Sequence, residues 1–83
     1  MAYRVDYKHS IKKDLKRLDT PTVKKLLNKL EDVLSINPHA GEPLKGKFKG
    51  LFKYRIGDYR IFYAKGIDFV LVTRIKDRKE AYR

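Results

Sequence analysis

The sequence predicts an α+β fold in the order β-α-α-β-β-β, a two-helix hairpin packed on a four-stranded antiparallel sheet. Three observations predict it. First, a two-residue turn signal, Gly57-Asp58, separates two runs rich in aromatic and β-branched residues, 52–56 and 59–63. Glycine at the first loop position suits a type II′ turn, whose twist matches that of the flanking strands. Second, valines and leucines recur with three-four spacing across residues 23–34, as on the buried stripe of a helix. Third, the 83 residues amount to a single domain, 1–83, with room for one two-layer core and no deep cleft.

Taken in order, residues 3–7 alternate and are β-rich, a first short strand. Ser10 is placed to cap a following helix through its hydroxyl, on which Ile11, Leu15 and Leu18 make one apolar stripe. Asp19-Thr20-Pro21 is a break and restart. Thr20 serves as N-cap, and Pro21 stands at the first helical position, where its missing N–H costs nothing. The second helix carries Val23, Leu26, Leu27, Leu30, Val33 and Leu34 inward and Lys24, Lys25, Asn28, Lys29, Glu31 and Asp32 outward; Asn37-Pro38 ends it. Residues 39–43 read as a connecting loop, and residues 45–50 alternate Lys with Gly and Phe48. After the hairpin, 64–68 is a second reversal. Residues 69–75 are apolar on both faces until Arg74, as in a central strand. Two tight reversals make the last three strands antiparallel. An even number of helices then sets the first strand antiparallel beside the last.

The Gly57-Asp58 turn fixes a register in which Ile56 faces Tyr59, Arg55 faces Arg60, Tyr54 faces Ile61, Lys53 faces Phe62 and Phe52 faces Tyr63. One face then carries Phe52, Tyr54, Ile56, Tyr59, Ile61 and Tyr63, with Tyr54 expected deep in the core. The other carries Lys53, Arg55, Arg60 and Phe62. Like charges directly opposite each other across a strand pair are destabilising. A solvated face whose Arg and Lys stems cover the sheet is the plainer explanation for any one cation. Three cations converging on one face fit better with a bound anion, and polyphosphate is the natural candidate.

Composition points the same way. With 21 Lys and Arg against 10 Asp and Glu the net charge is +11, a field that draws polyanions. There is no cysteine, hence no disulfide or thiolate metal site. No apolar run reaches the ~18 residues of a membrane span, and the opening residues alternate in charge unlike a secretory leader. These features lead to the expectation of a soluble, cytoplasmic protein without cofactors. The usual catalytic sets are missing: His9 and His39 have no ligand spacing, Gly46 and Gly50 precede a strand rather than a helix, Ser10 and Ser35 lack a base, and the carboxylates sit in helices and turns. What remains is Lys53, Arg55, Arg60, Arg78, Lys79 and Tyr82, with Lys45, Lys47, Lys49, Phe62, Arg74 and Lys76 as candidate substrate contacts. Such a set suffices for RNA, which carries its own nucleophile. A lysine among cations can act as base, and arginines stabilise the charged transition state. Arginine is a poor proton donor, so a slow enzyme is expected unless something else orders the substrate.

The hairpin sequence from Phe52 to Tyr63, the preceding Leu44-Lys-Gly46 and the ending Ile75-x-x-Arg78-x-x-x-Tyr82 resemble the RelE/ParE toxin superfamily over nearly the whole chain. The resemblance implies the toxin of a toxin–antitoxin pair. RelE-type members are ribosome-dependent endoribonucleases, mRNA interferases that cut by 2′-hydroxyl attack and leave a cyclic phosphate and a 5′-hydroxyl. By motif, Lys53 and Arg55 match the base or phosphate clamps, and Arg60 the transition-state arginine. Tyr82 matches a C-terminal aromatic that orients a base, and Lys76 or Arg78 the late-strand acid. Asp77 stands where many relatives have a histidine. The alternatives are a ParE-like inhibitor of DNA gyrase without nuclease activity and a basic, non-catalytic RNA-binding module. Expected partners are the ribosome with mRNA in its decoding site and an acidic, RelB-like antitoxin covering Phe62 and the cationic face.

Overall fold

A computed structural model of the protein describes residues 2–77. Along it run β1 (Arg4–Tyr7), α1 (Ile11–Leu15), α2 (Thr20–Leu34), β2 (Glu42–Pro43), a single 3₁₀ turn (Gly46–Phe48), β3 (Leu51–Ile56), β4 (Tyr59–Lys65) and β5 (Phe69–Asp77). The strands form one sheet in the order β1-β5-β4-β3-β2, with the helices on one face.

The β3–β4 hairpin has the register its turn dictates, from Phe52 opposite Tyr63 to Ile56 opposite Tyr59, with Arg55 opposite Arg60. Gly57 has φ +57°, and among the described residues only glycines have positive φ. Asp58 therefore keeps the negative φ that the second position of a type II′ turn requires.

Two expectations are corrected. The sheet has five strands rather than four, and it is mixed: β1 runs parallel to β5, Arg4 opposite Phe69 and Tyr7 opposite Val72. Glu42–Pro43, expected as loop, is the cause. It pairs antiparallel with β3, Glu42 opposite Lys53 and Pro43 opposite Phe52. This adds one reversal before the hairpin, so β3 and β5 run in the direction of β1. Proline is tolerated there because β2 is an edge.

β5 also contains a bulge. Phe62 faces Arg74 but Tyr63 faces Val72, which leaves Thr73 as the extra residue, its hydroxyl donating to the Phe62 carbonyl at 3.1 Å. The bulge changes the phase of the strand. Val70, Val72 and Ile75 all reach the core, while Arg74 and Lys76 go to the opposite face.

The core joins Ile11 of α1 and Leu26, Leu30 and Leu34 of α2 to Ile61, Tyr63, Val70, Val72 and Ile75 of the sheet. Tyr54, expected to be central, is only half-buried and packs against its margin; the fully buried tyrosine is Tyr63 on the middle strand. The Tyr63 hydroxyl donates to the Pro38 carbonyl at 2.8 Å and accepts from the Gly41 N–H at 2.9 Å. It thus ties the segment after α2 to the sheet. The helix ends differ by detail from expectation. Asp19, not Thr20, is the N-cap of α2, with its carboxylate 2.5 Å from the Thr22 hydroxyl, and Ser10 makes no side-chain cap. Asp14 of α1 accepts the Ile75 N–H at 3.0 Å. Since β1 ends opposite Val72, this carboxylate takes over the backbone of β5 where its neighbour stops.

Candidate functional site

The face of the sheet opposite the helices is uncovered, and strand pairing orders its side chains into rows. Arg55, Arg60 and Lys76 lie side by side across β3, β4 and β5. The next row is Glu42, Lys53, Phe62 and Arg74. Since same-face neighbours on a strand are two residues apart, the rows are separated by about 7 Å. Among the described residues neither Arg55 nor Arg60 makes an ion pair or a side-chain hydrogen bond, so both guanidiniums keep every donor available. Lys53 Nζ lies 3.9 Å from a Glu42 carboxylate oxygen.

The structure thus brings together Lys53, Arg55, Arg60, Phe62, Arg74 and Lys76. It places Lys45, Lys47 and Lys49 on an exposed loop, off the sheet itself. Arg78, Lys79 and Tyr82 lie outside the described residues. Asp77 is not on the cationic face: it pairs with Tyr59 and shares the helix side of β5 with Ile75, so it is no candidate acid for this face. There, burial first and the Asp77 charge second hold the Tyr59 hydroxyl above the usual tyrosine range.

Sequence reasoning missed three contributors. Glu42 joins the face because β2 is a strand, which corrects the placing of all carboxylates in helices and turns. Lys8, just after β1, donates its backbone N–H to Val72 O at 2.8 Å and lines an open groove with Leu44, Phe48, Leu51, Phe62 and Thr73, bordered by Arg74 and Lys76. The third is the bulge itself. Its signal was visible, because Val70, Val72, Arg74 and Lys76 cannot share one face of a half-buried strand.

His39 packs edge-on against Phe52, ring centroids 5.9 Å apart, and among the described residues no cluster of His, Cys, Asp and Glu could hold a metal ion. No described helix is long and apolar enough to cross a membrane. Chemically, the face is a bed of cations with a carboxylate on each edge strand, Glu42 of β2 and Asp6 of β1, able to hold a phosphate and accept a proton.

No curated protein matches the sequence. The toxin–antitoxin complex RelBE2 from Mycobacterium tuberculosis contains a chain 27% identical, TM-score 0.82, with 94% of this chain and 100% of that chain covered. The archaeal RelE–RelB complex from Pyrococcus horikoshii gives 26% identity and TM-score 0.71 over 94% of this chain and 97% of that one. A mutant RelE toxin of E. coli bound to an antitoxin RelBc peptide shares the fold, at 24% identity and TM-score 0.71, covering 99% and 92%. The family described as ParE toxin of type II toxin–antitoxin system, parDE, matches residues 5–82. Within the RelE/ParE superfamily, the chain therefore belongs to the ParE toxin family and is the toxin of a toxin–antitoxin module.

Proposed function

We propose that the open sheet face cleaves messenger RNA in the ribosome. The observation that carries this is the row Arg55, Arg60 and Lys76, three cations side by side on three adjacent strands, at the end of the sheet next to the hairpin turn. Such a row is unfavourable for folding alone and suited to a phosphate whose charge grows in the transition state. In this reading the 2′-hydroxyl of the RNA attacks the adjacent phosphorus. The bond from the 2′-oxygen to phosphorus forms, the bond to the 5′-oxygen breaks, and a cyclic phosphate and a 5′-hydroxyl result. Arg55 and Arg60 hold the non-bridging oxygens. The proton of the 2′-hydroxyl passes to Lys53, as neutral amine, or to Glu42, the carboxylate beside it; Glu42→Gln against Lys53→Met distinguishes the two. The 5′-oxygen takes its proton from Lys76 or Arg78, and Tyr82 orients a base. Neither cation is a ready acid at neutral pH, so the message needs the ribosome to position it. An acidic antitoxin covers the face when the toxin is silent.

Primer extension on messages from cells expressing the protein should show new ends inside open reading frames, absent with Arg60→Ala. The family match itself favours a second reading, a gyrase inhibitor. Normal translation with gyrase trapped on DNA would establish that reading and overturn the first. Tight, steeply salt-dependent RNA binding without cleavage would leave only a binding module.

A further inference from the structure

Beside the cation rows lies the groove lined by Leu44, Phe48, Leu51 and Phe62. We infer that Phe48 and Phe62 form a stacking subsite for an unpaired nucleobase of single-stranded RNA, next to the phosphate held by Arg55 and Arg60. The inference rests on the RNA-cleaving reading and adds to it a contact made by a residue that the catalytic scheme does not use.

Phe48 is one of the large apolar side chains left outside the core, 51% exposed. Its loop is built to keep it there. The Leu44 N–H donates to Leu51 O at 2.9 Å and closes the loop at its base, and the Lys49 N–H donates to Gly46 O at 3.1 Å across the 3₁₀ turn. Gly46 and Gly50 have φ of +70° and +98°, a left-handed backbone that side chains other than glycine rarely accept. The turn therefore has a defined shape, and Phe48 borders the groove rather than folding back into the core. Lys47 Nζ stands 5.5 Å from the Phe48 ring centroid.

The charge around the groove selects the occupant. The charged side chains on its border are Lys8, Arg74 and Lys76, all cations. An aromatic and aliphatic floor inside a cationic border is the arrangement by which single strands are bound, bases stacking on rings while cations follow the backbone. The position is also right. Phe62 and Arg60 project from the same face of β4 two residues apart, about 7 Å along the strand, so a base over Phe62 leaves its own phosphate within reach of the arginine pair.

The test is binding of a labelled single-stranded RNA oligonucleotide to the purified toxin, beside an abasic oligonucleotide of equal charge. The protein should bind the base-containing strand more tightly than the abasic one. Phe48→Ala and Phe48→Leu should weaken the former by about 5- to 100-fold and leave the latter unchanged, and Phe48→Tyr should restore binding. All three variants should melt like the parent, since Phe48 lies outside the core. Equal affinity for both strands would overturn the inference and reduce the groove to electrostatics. Loss of antitoxin binding by Phe48→Ala with RNA binding intact would overturn it too, and assign the groove to a protein. Cleavage is read separately by primer extension, so base-dependent binding without cuts on the ribosome would refute the nuclease reading while leaving the stacking subsite in place.

Discussion

Removing the Tyr63 hydroxyl tests how the fold holds the edge of its site. Tyr63→Phe keeps the ring, which is fully buried and stacked on Phe52 at 5.2 Å, and deletes only the oxygen. Two buried groups then lose their partner, the Pro38 carbonyl and the Gly41 N–H. Each buried group left unsatisfied costs roughly 1–3 kcal/mol, so the pair costs roughly 2–6 kcal/mol. An 83-residue domain has a total stability of roughly 4–12 kcal/mol. At about 4–8 °C per kcal/mol, Tm should fall by more than about 8 °C. Gly41→Ala reaches the same oxygen from the other side, because an added Cβ would lie 2.7 Å from it and 3.0 Å from the Lys53 carbonyl. Much of that clash vanishes without the hydroxyl, so Gly41→Ala should cost less in Tyr63→Phe than in the parent. Urea melts of the parent, both single variants and the double variant measure this coupling. Strictly additive losses, or a Tyr63→Phe protein as stable as the parent, would refute the account of residues 38–41 as a segment tied to the sheet through the Tyr63 oxygen.

Arg55→Ala and Arg60→Ala should each lower toxicity by about 10²–10³ in cleavage rate while Tm holds or rises slightly, since each removes a like-charge neighbour; a growth assay beside a thermal melt checks both halves. The Tyr7 hydroxyl is buried without a partner among the described residues, and burial, aided by the Glu31 charge, pushes its pKa up from 10.0 to about 12. The unfolded chain releases this proton first, so the stability it contributes is whole below pH 10 and drains away as pH rises toward 12. Tyr7→Phe should flatten that alkaline loss and gain about 1 kcal/mol at neutral pH, read as melts across pH 8–12. Asp14→Ala should cost about 1–2 kcal/mol and speed hydrogen exchange at the Ile75 amide, whereas Asp14→Asn, which keeps an acceptor, should retain most protection.

Most of the site was legible because the decisive signal is local. Gly57-Asp58 allows one turn, the turn allows one register, and the register places Lys53, Arg55, Arg60 and Phe62 together. The core stripe of α2 was legible for the same reason, its period being set by the helix alone. What sequence did not reveal depends on distant pairings. Glu42 and Pro43 are a strand only because β3 lies beside them, and two residues carry no period. Overlooking them reversed the direction assigned to β1. The bulge at Thr73 could have been found from the conflict between Val72 and Arg74. Tyr54 and Tyr63 look alike in sequence, and only the position of Tyr63 on the middle strand, under the segment after α2, separates half-buried from fully buried.

The parallel pairing of β1 with β5 also sets a timetable. During synthesis Arg4 leaves the ribosome long before Phe69, its partner across the ladder, and such distant contacts form late. Until β4 and β5 emerge, the leucines of α2 have no Ile61, Val70 or Val72 to cover them. The hairpin that carries Arg55 and Arg60 can pair early, but Lys76 completes their row only with the end of β5. A nascent or prematurely terminated chain therefore holds the hairpin cations without the strand that aligns them into a row.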